Sequence, residues 1–156
     1  MRILATTLPI LCLALSAIPF ARAAGQQPAV VDALVARAKQ QVTRIDMPAF
    51  STVLEALAER PGQALVIDVR EPDEFSAGHI PGAINIPRGV IEFRIWSHLG
   101  YPERTGTDID LYLYCGWGSR AALAAHALQK LGLKRVVAVD MQLSDWRAAG
   151  LPFTVY

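Results

Sequence analysis

The stretch Tyr114–Ala121, with the sequence YCGWGSRA, combines residue types that can do chemistry on an anion. Cys115 becomes a nucleophile when its thiol is ionised. Gly116 and Gly118 allow a tight turn with closely approaching backbone N–H groups, and Arg120 adds a fixed positive charge. This setting stabilises a thiolate. The competing interpretation is an inert thiol buried in the turn, because free cysteine is among the most buried residue types.

Two predicted elements flank this stretch. The apolar run Ile109–Tyr114 predicts a strand, and the alanine-rich segment Ser119–Leu131 predicts a helix that begins beside the cysteine. The N–H groups of residues 116–120 and the positive end of the helix dipole are then expected to face the thiol. We therefore predict that Cys115 lies at the carboxyl end of a parallel strand, where ligands of open α/β sheets collect.

Strands and helices alternate along the rest of the chain. Further apolar runs predict strands, and amphipathic or capped segments predict helices. The strands are expected at residues 64–69, 83–86 and 135–140, and the helices at 28–42, 48–60, a short turn from 72, 88–99 and 144–149. This alternation predicts an α/β fold, a mainly parallel sheet with helices on both faces.

The first 23 residues have the pattern of a secretory signal peptide. Arg2 supplies the positive charge, and small residues at Ala21 and Ala23 favour cleavage after Ala23. The apolar run between them is roughly 18 residues long, near the minimum for a retained membrane anchor, and Pro9 and Pro19 interrupt it. We predict a periplasmic protein that does not contact the membrane once the signal is cleaved.

The remaining chain has room for one domain. We expect a helical lead-in at residues 24–46 and a single domain at residues 47–156. Cys115 is then the one cysteine of the mature chain, since Cys12 belongs to the leader. An exposed thiol of this kind in an oxidising compartment is open to oxidation or to a mixed disulfide.

Composition excludes several classes of function. The formal net charge is +1 and no basic run is present, which argues against nucleic acid as a partner. No pair of Cys or His residues has the spacing of metal ligands. The chain has only three histidines, His79, His98 and His126, and none is an evident general base for a cysteine protease.

Three stretches together resemble the rhodanese family. LVIDVREPDEFSAGHIPGAINIP is similar to the first signature of that family, YCGWGSRAALAAHALQKLGLKRV to its active-site loop and following helix, and WRAAGLPF to its final signature. They extend from about Met47 to Phe153 in the family order. The resemblance implies an α/β fold with a parallel sheet of about five strands, and a Cys115 that carries sulfur as a persulfide, without metal or organic cofactor.

The same signatures contain residues that support the site. Asp68 and Arg70 end a buried strand, and we expect them to pair and fix the surrounding loops. Glu71, Asp73 and Glu74 are expected to place negative charge in the first turn of a short helix. His79 is expected to hydrogen-bond to the backbone as a scaffold residue.

The loop itself favours sulfur transfer but departs from the family pattern. Cys115–Arg120 contains six residues, a length that the resemblance links to sulfurtransferases, whereas related phosphatases and arsenate reductases have one more. Many active members have a basic residue after the cysteine, where this chain has Gly116, and Trp117 adds a large apolar ring. The glycine pair that usually precedes the last helix is replaced by residues 140–146, DMQLSDW.

These features predict a sulfurtransferase. The Cys115 thiolate takes the sulfane sulfur of a small anionic donor such as thiosulfate and passes it to a thiol or cyanide. The N–H groups of Gly116, Trp117, Gly118, Ser119 and Arg120 form the binding loop, and Arg120 orients the donor. The alternative is a sulfur-carrying, sensing or protein-binding module of the same fold, in which Trp117 contacts a thiol-bearing partner protein.

Overall fold

The computed structural model describes residues 28–102 and 108–155. Six helices and five strands alternate in these residues, and the six helices and four of the strands follow the order predicted. The strands are β1 Thr43–Ile45, β2 Ala64–Asp68, β3 Ile84–Asn85, β4 Asp110–Tyr114 and β5 Val136–Val139. The helices are α1 Ala29–Gln41, α2 Met47–Glu59, α3 Pro72–Ser76, α4 Ile91–His98, α5 Ser119–Lys130 and α6 Leu143–Ala148, with a 3₁₀ turn at Arg88–Val90.

The five strands form one parallel sheet in the order β1-β5-β4-β2-β3. The predicted α/β fold class is therefore confirmed. Asp68, the last residue of β2, lies opposite Tyr114, the last residue of β4. Because all strands run the same way, the segments that follow them meet at a single edge of the sheet, which we call the carboxyl edge.

Side chains of β4 alternate between two hydrophobic layers. Leu111 and Leu113 belong to a layer shared with α1, α4 and α5, whereas Tyr114 belongs to a second layer with Phe50 of α2 and Trp146 of α6. Helices thus cover both faces of the sheet, as expected. This double cover explains why β4 is almost uniformly apolar.

The N-terminal segment is part of the domain. β1, which the sequence analysis did not predict, extends the sheet by pairing with β5. α1 packs against α5 through its C-terminal half, where Ala38 is buried. Val30 and Leu34, whose helical spacing in the sequence is typical of a buried face, are 74% and 55% exposed. The segment before residue 47 is therefore more than a helical lead-in, since it contributes an edge strand.

The signal-peptide prediction concerns residues 1–23, which lie outside the described residues. Among the helices that are described, none has the length and apolar character needed to cross a membrane.

Candidate functional site

Cys115 directly follows β4 at the carboxyl edge of the sheet, as predicted. Its side chain is 1% exposed and belongs to the hydrophobic layer beneath α5. The thiol is therefore buried, as in the competing interpretation, because α5 packs on the sheet beside it. Trp117, two residues later, is 71% exposed, so other side chains cover little of its ring. The turn after β4 thus begins with a buried thiol and carries an exposed indole.

Gly118 determines the shape of the loop between Cys115 and α5. Its φ is +74°, and a Cβ atom there would lie 2.7 Å from Oδ1 of Asp140. Gly116 has no such requirement, since its φ is not positive and a Cβ atom would meet nothing closer than Nη2 of Arg120 at 3.7 Å. The backbone carbonyl of Gly116 accepts a hydrogen bond from the N–H of Leu143 at 2.9 Å, which ties the loop to α6.

The loop leaves its backbone donors available. In the described part of the chain, no acceptor receives the N–H groups of Gly116, Trp117, Gly118, Ser119 or Arg120. The last two are at the N-terminus of α5, where the first N–H groups have no partner within the helix. Donors that follow a cysteine in a tight turn can stabilise a thiolate, a persulfide or a bound anion.

Arg120 is held by a residue that the sequence analysis did not connect to it. Its Nη1 and Nη2 donate to the two carboxylate oxygens of Glu74 at 2.5 and 2.8 Å. The hydrogen bond from Arg120 lowers the pKa of Glu74 to about 2, and the same bond raises the pKa of Arg120. Arg120 therefore anchors the loop to α3, and the carboxylate offsets most of the charge that we expected it to offer a donor.

Glu74 has a second role within α3. The side chain of Glu71 caps the N-terminus of this helix, and Glu74 accepts from the N–H of Glu71 at 3.2 Å, which forms a capping box. The predicted negative charge in the first turn of α3 is confirmed. The capping pattern was legible in the sequence, whereas the pair with Arg120 joins residues 46 positions apart.

Asp68 and Arg70 form the buried ion pair that the sequence predicted. Nη2 of Arg70 lies 2.6 Å from Oδ2 of Asp68, and the side chains are 8% and 0% exposed. Arg70 also donates to the carbonyl of Gly78 at 2.7 Å, which fixes the loop after α3. His79 makes the expected backbone contact, with Nδ1 3.0 Å from the carbonyl oxygen of Phe75. These groups support the site rather than line the thiol.

A second ion-pair network supports the far side of the loop. Asp140, directly after β5, pairs with Lys39 of α1 and Arg44 of β1, each at 2.6 Å. Its carboxylate packs against Gly118. The N-terminal segment is thereby linked to the active-site loop. In the region where the family glycine pair is missing, Met141 is buried and Leu143 still bonds to Gly116.

The pair between Glu74 and Arg120 gives a pH prediction. The pKa of Glu74 in the folded protein is about 2, below its ordinary value of 4.5. A lowered pKa contributes stability above pH 4.5, and this contribution is lost as the pH falls from about 4.5 towards 2. Since both side chains are about one-third exposed, we expect the pair to contribute only about 1 kcal/mol or less to the free energy of unfolding. Urea unfolding of wild type and Glu74→Gln should therefore differ at pH 6 and converge near pH 2.

A matched control is Glu59→Gln, because Glu59 is exposed at the end of α2. The urea midpoint of this variant at pH 6 should equal that of wild type. An equal loss of unfolding free energy in both variants at pH 6 would contradict the assigned role of Glu74.

No cluster of His, Cys, Asp or Glu side chains in the described ranges could hold a metal ion. What the arrangement offers is a single nucleophile, an array of backbone donors and two neutralised arginine pairs. These groups form an arrangement that can bind an anion beside a cysteine side chain.

Comparison with known proteins agrees with this geometry. A family model described as the rhodanese-like domain matches residues 51–149. The chain is 30% identical over 101 residues to a sulfurtransferase of Allochromatium vinosum, covering 63% of this chain and 88% of that protein. It is 33% identical over 81 residues to a candidate sulfur carrier of Bacillus subtilis, covering 52% of this chain and 40% of that protein.

Solved structures show the same fold. A Rhodopseudomonas palustris protein, described as of unknown function and a possible tyrosine phosphatase, has a TM-score of 0.67 and 28% identity. The match covers 80% of this chain and 93% of that one. The chain spans between 38% and 61% of the length of three curated bacterial relatives, the Bacillus subtilis carrier among them.

Proposed function

Because the chain belongs to the rhodanese-like family, we propose that it transfers sulfane sulfur through a persulfide on Cys115. The donor is a small anion such as thiosulfate, and the acceptor is a thiol or cyanide. The observation that carries this proposal is the position of Cys115 directly after β4, followed by a turn whose N–H groups, from Gly116 to Arg120, have no acceptor in the described structure. The sulfurtransferase names of relatives at low identity support the same reaction class.

In the first step the Cys115 thiolate attacks the outer sulfur of thiosulfate. The bond between the two donor sulfurs breaks, its electron pair leaves with sulfite, and a persulfide anion remains on Cys115. Loop N–H groups stabilise the anion before and after the step, which is preorganised electrostatic stabilisation. No proton transfer is needed, which is consistent with a site that holds no evident general base.

In the second step an acceptor thiolate or cyanide attacks the outer sulfur of the persulfide. The new bond forms to the acceptor, and the Cys115 thiolate leaves with the electron pair. Because the cysteine side chain is 1% exposed, the outer sulfur is the atom that an acceptor must reach. The exposed Trp117 provides an apolar contact for a partner at this position.

A second candidate is a sulfur carrier or partner-binding module with little turnover. Two observations favour it: Glu74 offsets the charge of Arg120, and Trp117 is exposed beside the loop. The carrier name of the Bacillus subtilis relative points the same way. A carrier accepts sulfur on Cys115 but turns over slowly with small molecules.

Phosphatase chemistry is the third candidate, and the loop argues against it. A tetrahedral oxyanion needs a wider cradle than the six residues from Cys115 to Arg120 provide, whereas a persulfide adds one sulfur about 2 Å from the first. We expect no release of phosphate from an aryl phosphate.

We also propose that the protein works in the periplasm, after cleavage of the leader at residues 1–23. This proposal rests on the charge, apolar core and small residues of that segment. The N-terminal residue of protein purified from the periplasmic fraction tests it, and uncleaved protein in the cytoplasm would contradict it.

The test of function is thiocyanate formation from thiosulfate and cyanide, with aryl phosphate hydrolysis measured in parallel. A sulfurtransferase produces thiocyanate continuously. A carrier binds sulfur without sustained turnover, and a phosphatase releases phosphate only.

Gly116 offers a prediction about donor affinity. The φ of Gly116 is not positive and a Cβ atom there has space, so Gly116→Lys should fold normally and add a cation next to the thiol. A charge-assisted hydrogen bond to the donor is expected to lower the KM for thiosulfate by roughly tenfold. Gly116→Gln, of similar length without the charge, is the control. Equal KM values for Gly116→Lys and Gly116→Gln would show that charge at this position is irrelevant.

A further inference from the structure

Arg88 carries an unusual polar atom. Among the residues that the structure describes, its Nε is the buried side-chain nitrogen or oxygen that has no hydrogen-bond partner. Buried polar groups are nearly always satisfied, so an exception calls for a specific explanation. A guanidinium donor that has no partner in the fold is suited to donate a hydrogen bond to an acceptor atom of a bound ligand.

Arg88 lies at the same edge of the sheet as the candidate nucleophile. It begins the 3₁₀ turn after β3, and its N–H donates to the carbonyl of Val69 at 3.1 Å. The N–H of Val69 in turn donates to the carbonyl of Tyr114 at 2.9 Å. Two backbone hydrogen bonds therefore connect Arg88 to the residue that precedes Cys115.

Four other cations near the carboxyl edge are paired with carboxylates. Within residues 28–102 and 108–155, Arg88 has no ion-pair partner. The pairs that neutralise the others are Arg70 with Asp68, Arg120 with Glu74, and Lys39 and Arg44 with Asp140. Arg88 is therefore a cation at this edge whose charge no carboxylate offsets within the described residues.

A cation near Cys115 would favour transfer from thiosulfate. The step brings a thiolate and a dianion together, and the basic residue that often follows the cysteine in this family is Gly116 here. Backbone N–H groups carry only partial charges. Guanidinium groups match the spacing of oxygen atoms on a sulfur oxyanion and keep their charge at all physiological pH values.

We propose that Arg88 is the donor-binding residue of this site and selects anionic sulfur donors. Its guanidinium holds the oxygens of the terminal SO₃ group, and it stabilises the sulfite that leaves with the electron pair of the broken S–S bond. This assignment rests on the proposed sulfurtransferase function for the reaction, but the binding of the anion can be measured without turnover.

The first experiment measures sulfur loading of Cys115 by intact mass as a function of donor concentration. Arg88→Gln is expected to raise the half-saturating thiosulfate concentration by roughly tenfold to a hundredfold. Reaction of Cys115 with an uncharged organic trisulfide, which adds an RSS group to the thiol and releases RS⁻, should proceed equally in wild type and variant. Arg88→Lys should recover part of the thiosulfate response. Arg60→Gln is the matched control, because Arg60 is exposed at the end of α2, beside the opposite edge of the sheet.

The second experiment measures thiosulfate binding by calorimetry on Cys115→Ala protein, which cannot react. Binding that weakens when Arg88→Gln is added supports the assignment, even if wild type fails to turn over. Unchanged binding, no binding at all, or an equal loss of loading from thiosulfate and trisulfide would overturn it. Absence of sulfur loading in wild type together with Arg88-dependent binding would instead reject only the proposed function.

Discussion

Cys115→Ser is expected to lower thiocyanate formation by at least about a thousandfold, to the rate without protein. The reason is that no other thiol is available: the sequence has two cysteines, and Cys12 lies within the predicted leader. The described site also offers no metal cluster that could substitute. Turnover is measured with thiosulfate and cyanide at saturating donor.

Loss of activity must be separated from loss of folding. Cys115 is buried, so the serine hydroxyl costs some stability, and Cys115→Ala provides a second variant without a buried polar atom. Both should show the circular dichroism of wild type and a cooperative urea transition. Activity that persists in folded Cys115→Ala would reject Cys115 as the nucleophile.

The second large effect concerns the ion pair beneath the site. Asp68→Asn keeps the size of the side chain but leaves the buried guanidinium of Arg70 without its counter-charge. Breaking a buried pair in this way typically costs about 3–5 kcal/mol of unfolding free energy. Urea unfolding at neutral pH measures the cost. Turnover per folded molecule should remain, since no step of the proposed reaction uses either side chain.

The control for this prediction is Asp110→Asn. Asp110 begins β4 and pairs with Arg135 at 2.6 Å, but that pair is exposed to solvent, with Arg135 52% exposed. Water screens the exposed pair, so this variant should unfold near the wild-type midpoint. If both variants unfold at the same urea concentration, burial does not raise the stability cost of breaking the pair between Asp68 and Arg70.

Local patterns predicted the parts of the site that depend on neighbouring residues. The apolar run before Cys115 fixed it at the end of β4, and the short spacing between Asp68 and Arg70 allowed their pairing to be anticipated. The glycine at 118 predicted a tight turn, which its φ of +74° confirms. Each of these inferences needs only backbone geometry within a few residues.

Long-range contacts escaped the same reasoning. The pair of Arg120 with Glu74 spans 46 positions, and the pair of Lys39 with Asp140 spans 101. The strand β1 has three residues, of which Thr43 and Arg44 are exposed, so it lacks an apolar pattern. It forms because β5 offers an open edge for backbone pairing, which composition does not reveal.

Burial was also misjudged where tertiary packing decides it. Val30 and Leu34 have helical spacing but lie before the part of α1 that meets α5, and they stay exposed. Cys115 is covered because α5 packs directly on the sheet beside it. The charge balance at the loop, with Arg120 neutralised and Arg88 unpaired, likewise depends on the folded arrangement.

The central claim is that Cys115 carries transferable sulfur. The most direct measurement is the intact mass of the purified protein before and after exposure to thiosulfate, and again after addition of cyanide. We predict a gain of one sulfur atom on wild type, its removal by cyanide, and no gain on Cys115→Ser. A folded wild-type protein that gains no sulfur, or an equal gain on Cys115→Ser, would contradict the account.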